Sequence, residues 1–455
     1  MFSHPLPEIA IFTQTIPLMQ TASKKVVNGW AMYDWANSVY NLVITTTFFP
    51  AYYAALTSLE KYPDGVPFLG RNFVNTALKD YVLAFGFLVI ALLSPILSSM
   101  ADYKGNKKNF MRFFCYLGAL SCSMIFYFGY FDNNNIYAIL ICFMFAGIGF
   151  YGSQVFYNSY LPEIAAEQDR DRISAKGYSY GYIGSVLLQL VGFGLVMSME
   201  DKLLALQITF LLVGVWWVGF AQITFNVLPI SSKSERKARK HVLVHGFHEL
   251  KIVWHQLMRL PVLKRFLLAF FLYSMGVQTV MLVGIDFGIK ELKLEDSKLI
   301  IAAVIIQIVA IGGAIGMSRL SQRYGNLQVL LFTVCLWIGV CLTAYFITTE
   351  IQFYVLASLI GLMMGGIQSL SRSTYAKLMP ETKDTASFFS FYDVTEKLAI
   401  VIGLFAFAFI EDITQSMRNS VLVLILFFVL GMLALLMAIS GQRKKTTALE
   451  NDLPL

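Results

Sequence analysis

Ionisable side chains inside apolar stretches are the residues of this sequence that could carry chemistry. The stretch SFFSFYDVTEKLAIVIG contains Asp393, Glu396 and Lys397, and the spacing of Asp393 and Lys397 lets them pair on one face of a helix. One such pair leaves Glu396 over, so this carboxylate would need another cation, a water-filled cavity or a proton. We therefore expect these three residues to take part in proton coupling, with a static salt-bridge network as the alternative.

The segment GWAMYDWANSVYN supplies a further carboxylate among apolar neighbours. Asp34, Asn37, Asn41 and Thr45 recur along one stripe of a helix, with aromatic residues around them. We expect Asp34 to contribute to ion coupling, and Asn37 and Asn41 to line a polar cavity. Because Asp34 lies near the end of its stretch, a carboxylate that caps or braces neighbouring helices is an equal alternative.

Polar residues in three other stretches could complete this cavity. Gln368 and Arg372 lie four residues apart on one helix face, and Arg372 could bind the carboxylate or phosphate of an anionic substrate. A structural pairing of Arg372 with Glu381, Asp393 or a backbone carbonyl is the alternative. The expected cavity lining is Asn37, Asn41, Gln154, Asn158, Tyr273, Gln278, Gln368 and Arg372.

The composition indicates what kind of element positions these residues. Hydrophobic residues make up 57% of the chain and charged residues 14%, and the mean hydropathy is +0.64, which excludes an ordinary water-soluble fold. Each membrane-spanning helix needs about 20 apolar residues. The sequence predicts an all-α membrane protein with twelve spans at 29–56, 80–100, 109–131, 136–160, 175–197, 203–228, 263–289, 298–318, 326–347, 352–376, 388–410 and 419–440.

The distribution of basic residues predicts the orientation. If both termini are cytoplasmic, 26 of the 35 Lys and Arg residues fall on the cytoplasmic side, as the positive-inside rule requires. The net charge of +7 is explained by the same loops, so we expect no nucleic-acid partner.

Two internal matches divide the chain into six-helix halves. The tripeptide at 161–163, LPE, recurs as MPE at 379–381, and the dipeptide at 105–106 recurs at 325–326. Parallel six-helix halves with a central site are the arrangement of major facilitators. The expected organisation is a cytoplasmic segment 1–28, halves 29–228 and 263–440, a basic linker 229–262 and a cytoplasmic tail 441–455.

The linker predicts an interfacial helix but no chemistry of its own. Phe247, Leu250, Trp254 and Leu257 recur at helical spacing among basic residues. The three histidines at 241, 245 and 248 could bind a metal, but solvated surface histidines are the expectation. We expect no metal and no cofactor, and we expect no enzymatic activity because no nucleophile–base pair or phosphate-binding loop is present in the sequence.

Three segments carry a family resemblance: GWAMYDWANSVYN, FLLAFFLYSMGVQTV and GGIQSLSRSTYAKLMP. Through them the sequence resembles the vacuolar-effluxer-like (autophagy-related) family of the major facilitator superfamily, as a bacterial-type member. SSMADYKGNKK is similar to the superfamily's cytoplasmic signature, which implies that Asp102 and Gly105 brace a cytoplasmic gate. The chain departs from related bacterial members at Ser274 and Met275, where they often carry Asn-Asp.

The repeats and the charges within the spans predict a secondary active transporter of small solutes that works by alternating access, and Glu396 indicates protons as the coupling ion. The resemblance implies that amino acids or similar metabolites are exported. We expect a monomer in the lipid bilayer of a bacterial inner membrane. One alternative is a transporter of larger amphipathic or anionic molecules, such as lipid precursors or cell-wall fragments. Another alternative is a receptor or scaffold that retains the fold without transporting anything.

Overall fold

The structure is a computed structural model, and it describes residues 20–58, 60–73, 75–230 and 251–451. The N-terminal half contains α1 (Lys24–Val39), α2 (Phe49–Leu56), α3 (Asn75–Lys104), α4 (Lys107–Tyr130), α5 (Ile136–Ser159), α6 (Leu161–Ile164), α7 (Arg170–Ser198) and α8 (Lys202–Val227). The C-terminal half contains α9 (Pro261–Leu292), α10 (Asp296–Tyr324), α11 (Asn326–Phe346), α12 (Glu350–Leu378), α13 (Thr385–Thr414) and α14 (Met417–Asn451). A small antiparallel hairpin, β1 (Val66–Phe68) and β2 (Arg71–Phe73), connects α2 and α3.

Ten helices in the described part of the chain are long and apolar enough to cross a membrane. Two further helical runs belong to the bundle: α1 to α2, which a π-helical turn interrupts, and α13, which carries three charged residues within little more than a turn. Large apolar side chains such as Leu120, Ile351 and Phe405 are exposed on the outside of the bundle, as a lipid-facing surface requires. The chain is therefore a multi-pass α-helical membrane protein, and the count of twelve spans and the cytoplasmic termini stay predictions.

The first helical run widens in its middle. Residues Tyr40–Phe48 form a π-helix, and α2 follows with Pro50 in its first turn. Pro50 has no N–H to donate to the carbonyl four residues earlier, and its ring would clash with that carbonyl, so a regular α-helix cannot continue through this point. The hydroxyls of Thr46 and Thr47 both donate to the Leu42 carbonyl, at 2.8 and 3.0 Å. Such π-turns are frequent at functional sites.

Glycines bring helix backbones together within each half. A Cβ on Gly149 would meet the backbone of Gly118 in α4, and a Cβ on Gly361 or Gly365 in α12 would meet carbonyls of α10. These contacts confirm the close helix approach that the glycine runs of α5 and α12 indicate.

Helix ends differ from the predicted spans at several places. The first helix begins at Lys24 rather than 29, and the last continues to Asn451 rather than ending at 440. The residues beyond 440 are mostly Gln, Arg, Lys, Thr, Ala and Leu, several of which favour helix, so hydropathy ends there but helix formation does not.

The linker is described only in part. Residues 251–258 are helical, with Leu257 buried and Trp254 half exposed. The Trp254 ring lies 5.8 Å from that of Phe391, so this part of the linker packs against α13. Phe247, Leu250 and the three histidines at 241, 245 and 248 lie outside the described residues, and the metal site considered for them stays untested.

The two halves meet along two faces. Helix α7 packs against α10 and α12, and α13 packs against α3 and α5. We call the end of the bundle that holds Asp102, Asp171 and Lys377 the basic end; the sequence predicts it to be cytoplasmic.

Candidate substrate and coupling site

Arg372 of α12 is a buried cation in the region between the halves, with a side chain only 1% exposed. Its Nε donates to the Ser174 hydroxyl at 2.9 Å, and its Nη2 donates to the Ser174 carbonyl at 2.8 Å. Its Nη1 donates to Asp34 Oδ2 and to Asn158 Oδ1, both at 3.2 Å. The Tyr157 hydroxyl donates to the same Asp34 oxygen at 2.7 Å. The guanidinium therefore makes four hydrogen bonds, to Asp34, Asn158 and Ser174.

Three aromatic rings enclose the same guanidinium. The carbon at its centre lies 4.9 Å from the ring of Trp30, 5.4 Å from Tyr157 and 4.2 Å from Tyr178. Trp30 and Tyr157 stack on each other, with ring centroids 4.5 Å apart. We call this set of N-terminal-half residues the Arg372 socket: Trp30, Asp34, Tyr157, Asn158, Ser174 and Tyr178.

Helical spacing explains how the socket forms. Trp30 and Asp34 are four residues apart on α1, and Ser174 and Tyr178 are four apart on α7, so each pair shares a helix face. Gly177 leaves the space that the ion pair fills, because a Cβ there would lie 2.9 Å from both Arg372 Nη2 and the Tyr157 hydroxyl. Neither Ser174, Tyr178 nor Gly177 was identified from the sequence.

A second group of charges lies on α13, and we call Asp393, Glu396 and Lys397 the acidic cluster. Lys397 Nζ lies 2.5 Å from Asp393 Oδ1 and 3.5 Å from Glu396 Oε2. The pairing of Asp393 with Lys397 that the spacing predicts is confirmed. Gln278 of α9 donates to Glu396 Oε1 at 2.9 Å. The Tyr151 ring of α5, in the other half, lies 4.5 Å from Lys397 Nζ.

The acidic cluster is not neutral when all three groups are ionised, because one ammonium faces two carboxylates. Asp393 Oδ2 is buried and has no hydrogen-bond partner among the described residues. Asp393 and Lys397 are only 5% and 2% exposed, whereas Glu396 is 25% exposed. Glu396 is therefore the carboxylate of the cluster with access to its surroundings.

The remaining residues predicted to line the cavity are distributed between these two groups. Gln368 accepts a hydrogen bond of 2.7 Å from Tyr182, across the two halves. Tyr273 and the Ser371 hydroxyl lie 2.7 Å apart within the C-terminal half. The Tyr151 hydroxyl donates to Asn41 at 3.4 Å, which connects α5 to the π-helix Tyr40–Phe48 beside the acidic cluster.

Asn37 and Gln154 are the other two residues predicted to line the cavity. Asn37 is fully buried, and neither polar atom of its side chain has a partner among the described residues. Gln154 is half-buried on α5, one turn before Asn158. Their predicted place in a cavity lining stays a prediction.

Asp102 connects the halves at the basic end. It accepts hydrogen bonds from the backbone N–H of Ala386 at 3.2 Å and from the backbone N–H and hydroxyl of Ser387, both at 2.7 Å. Lys107 lies 2.9 Å from Asp102 and also bonds Glu163 and, at 2.5 Å, Thr385. A carboxylate at the first N–H groups of α13 is favoured by the helix dipole. We call these contacts the Asp102 bracket.

Asp171 makes a second connection between the two halves at the basic end. This fully buried carboxylate at the start of α7 accepts hydrogen bonds from Ser321 at 2.8 Å, Asn326 at 2.7 Å and Lys377 at 2.6 Å, all in the C-terminal half. We call these contacts the Asp171 bracket. Gly105 lies between α3 and α4, and Gly325 lies between α10 and α11. Their φ values are +65° and +87°, a conformation that a residue with a Cβ rarely adopts.

The sequence missed most of the bracket residues although it contained a signal for them. No role was assigned to Asp171, Lys107 or Lys377, although Lys107 and Lys377 lie in two of the segments that carry the family resemblance. The repeat of the dipeptide 105–106 at 325–326 marks the turn between α3 and α4 and the turn between α10 and α11. It could have directed attention to these turns as contact points between the halves. Which helix N-terminus each turn contacts is decided by tertiary packing.

The fold is similar to that of transporters of the major-facilitator type. The structure superposes on the outward conformation of the transporter FucP with a TM-score of 0.68 at 13% identity, covering 91% of this chain and 97% of FucP. A bacterial homologue of the iron transporter ferroportin in its outward-facing state gives a TM-score of 0.65 at 15% identity, covering 91% of this chain and 98% of the homologue. These likenesses concern the fold alone.

Sequence comparison identifies the family. Residues 22–449 match the family described as Vacuole effluxer Atg22 like, and the chain belongs to that family. The uncharacterized MFS-type transporter YxiO of Bacillus subtilis is 30% identical over 95% of this chain and 99% of its own length. Autophagy-related protein 22 of Eremothecium gossypii is 26% identical over 94% of each chain. The suspected family resemblance is confirmed.

Proposed function

We propose that this protein is a proton-coupled secondary transporter that exports amino acids or similar small metabolites from bacteria by alternating access. The observation that carries the proposal is the acidic cluster, a buried charge group with one ammonium and two carboxylates at the junction of α13, α9 and α5. Ionisable groups held inside a membrane are expensive and usually mark an ion or substrate pathway.

The contacts between the halves support an alternating-access cycle. Both brackets and the Arg372 socket join the two halves at or near the basic end, so this end is closed in the structure. Opening the basic end requires all three connections to separate. Transporters of this architecture move substrate by rocking their halves about a central site.

Proton binding at Glu396 would remove the surplus charge of the acidic cluster. With Glu396 neutral, Asp393 and Lys397 form a balanced pair within α13. Gln278 of α9 donates a hydrogen bond to Glu396, and the Tyr151 ring of the other half contacts Lys397. A movement of α9 or α5 would change these contacts and therefore the proton affinity of the cluster. A proton taken up on one side and released on the other would then accompany the change of state.

The substrate class and direction of transport rest on the family. Its description names an effluxer, and the resemblance implies amino acids or similar metabolites. YxiO is a bacterial relative, which supports a bacterial inner membrane as the location. We also propose that the protein is a monomer.

The test is flux into liposomes that contain the purified full-length protein, with a proton gradient imposed and a panel of labelled amino acids. We expect Glu396→Gln to abolish gradient-driven flux and to spare exchange of solute for solute, because the variant mimics one fixed protonation state. Asp286→Asn is the matched control, since Asp286 is an exposed carboxylate of α9 away from the cluster. Gradient-driven flux that survives in Glu396→Gln removes the coupling assignment, and no flux of any solute in the wild type favours a scaffold.

A further inference from the structure

The partners of Arg372 all come from the other half of the protein. Within the described residues, its guanidinium bonds Asp34, Asn158 and Ser174 and lies against the rings of Trp30, Tyr157 and Tyr178. Arg372 itself belongs to α12 of the C-terminal half. The Arg372 side chain thus extends from one half into a hollow that residues of the other half form.

The hollow has the chemistry of a receptor for an organic cation. Toward the guanidinium it presents four oxygen acceptors: the Asp34 carboxylate, the Asn158 amide oxygen, and the hydroxyl and carbonyl of Ser174. Three aromatic faces complete the enclosure, and cations bind such faces favourably, more so when water is excluded. The Tyr157 hydroxyl is directed at Asp34 and holds that carboxylate in place.

Alternating access empties this hollow once in each cycle. When the basic end opens, α12 must move away from α1, α5 and α7, and Arg372 leaves with it. Asp34 then lacks its cation and faces the opened side, while Trp30, Tyr157 and Tyr178 remain around it. A solute cation can take the place of Arg372 between this carboxylate and the aromatic faces, and it stabilises the open state.

We propose that the Arg372 socket binds the guanidinium or primary ammonium group of the transported solute, and that Arg372 is a built-in competitor which displaces it. This inference rests on the proposed function and narrows the substrate class to solutes that carry such a cation. It also assigns Asp34 to substrate binding rather than to proton coupling. A bare metal ion fits less well, since the socket contains one carboxylate and no cluster of metal ligands occurs within the described residues.

The first test restores the missing cation to a variant that lacks it. Arg372→Ala in lipid nanodiscs is heated with millimolar ethylguanidinium, ethylammonium or ethylurea, the last being an uncharged molecule of similar shape. We expect one or both cations to raise the unfolding temperature of Arg372→Ala well above the effect of ethylurea, and to have no such effect on Asp34→Asn/Arg372→Ala. Equal effects of cations and ethylurea overturn the proposal, and the two cations together tell whether guanidinium or ammonium is preferred.

The second test uses the wild type, so that it does not depend on a variant folding. Binding of labelled agmatine, which carries both cationic groups, is measured by scintillation proximity in detergent. We expect saturable binding that is weakened by at least about tenfold in Asp34→Asn, the range for losing a hydrogen bond to a charged group, and is unchanged in Asp286→Asn. Absence of binding to the wild type, or equal binding to Asp34→Asn, overturns the proposal.

These binding measurements are separate from the flux assay. Flux of amino acids without any effect of Asp34→Asn on agmatine binding would sink the socket assignment and leave the transporter. Agmatine binding that depends on Asp34, without flux of any solute, would keep the socket as a cation site and remove the transport function.

Discussion

In the Arg372 socket one cation faces one carboxylate, whereas in the acidic cluster one cation faces two. Arg372 is contributed by the C-terminal half and makes four hydrogen bonds to socket residues of the N-terminal half. The acidic cluster lies entirely on α13, and a buried oxygen of Asp393 has no partner among the described residues. We propose that the two groups have different tasks: the balanced pair fixes a conformation, and the unbalanced group responds to an added proton.

The largest expected effect comes from removing the Arg372 side chain. Arg372→Ala leaves Asp34 as an unpaired buried carboxylate, and we expect a loss of about 3 to 5 kcal/mol in the free energy of unfolding. Thermal unfolding in detergent measures it. Asp34→Asn/Arg372→Ala should recover part of the loss, and a double variant that is no more stable than the single one would contradict the balanced-pair interpretation.

A smaller effect is expected where the Asp102 bracket closes the basic end. Ser387→Ala removes a hydroxyl that donates to Asp102 at 2.7 Å, and a hydrogen bond to a charged group contributes about 1.5 to 3 kcal/mol. We expect the basic end to open more often, so that a cysteine placed at buried Ala376, whose carbonyl accepts from Arg170 across the interface, reacts faster with a maleimide.

The control for that variant is on the same helix. Ser390→Ala removes a hydroxyl whose only hydrogen bond within the described part of the chain is to the Ser387 carbonyl of its own helix, at 2.7 Å. It should leave the labelling rate at Ala376→Cys unchanged. If both serine variants accelerate labelling equally, the bracket has no specific part in closure.

Filling the space beside the socket should cost less again. Gly177→Ala places a methyl group against Arg372 and Tyr157, and overpacking of this kind typically costs about 1 to 3 kcal/mol. Gly194→Ala on the same helix meets no atom within 4 Å and should be neutral or slightly stabilising, because Ala favours helix over Gly. Comparable melting temperatures for the two variants would show that the socket is loosely packed.

The smallest effect is expected at the acidic cluster. Glu396→Gln removes the surplus charge and can still accept the hydrogen bond from Gln278, so we expect a change of less than about 1 kcal/mol in unfolding free energy. The loss of gradient-driven flux should be large in the same variant. A destabilisation as great as that of Arg372→Ala would mean that the cluster is a balanced structural network.

Much of the architecture follows from local sequence properties. Apolar runs at helix length, basic loops and repeated corner motifs predict a helical membrane protein with two halves, because the bilayer requires each backbone group to bond within its own helix. Spacing along one helix also predicts the Asp393–Lys397 pair, and the glycine runs predict close helix contacts. Each of these features depends on residues within one helix or on short motifs that can be recognised without knowing how the helices pack.

Contacts between distant segments could not be obtained in this way. Of the partners expected for Arg372, a backbone carbonyl is present, that of Ser174, 198 residues away in sequence. Its ion-pair partner is Asp34, 338 residues away, rather than Glu381 or Asp393. Asp171 was overlooked because its partners are contributed by three C-terminal helices. Composition and periodicity determine that helices form and which residues are apolar. Which charge faces which is decided only when the two halves pack, because that pairing depends on distances between helices that no local pattern encodes.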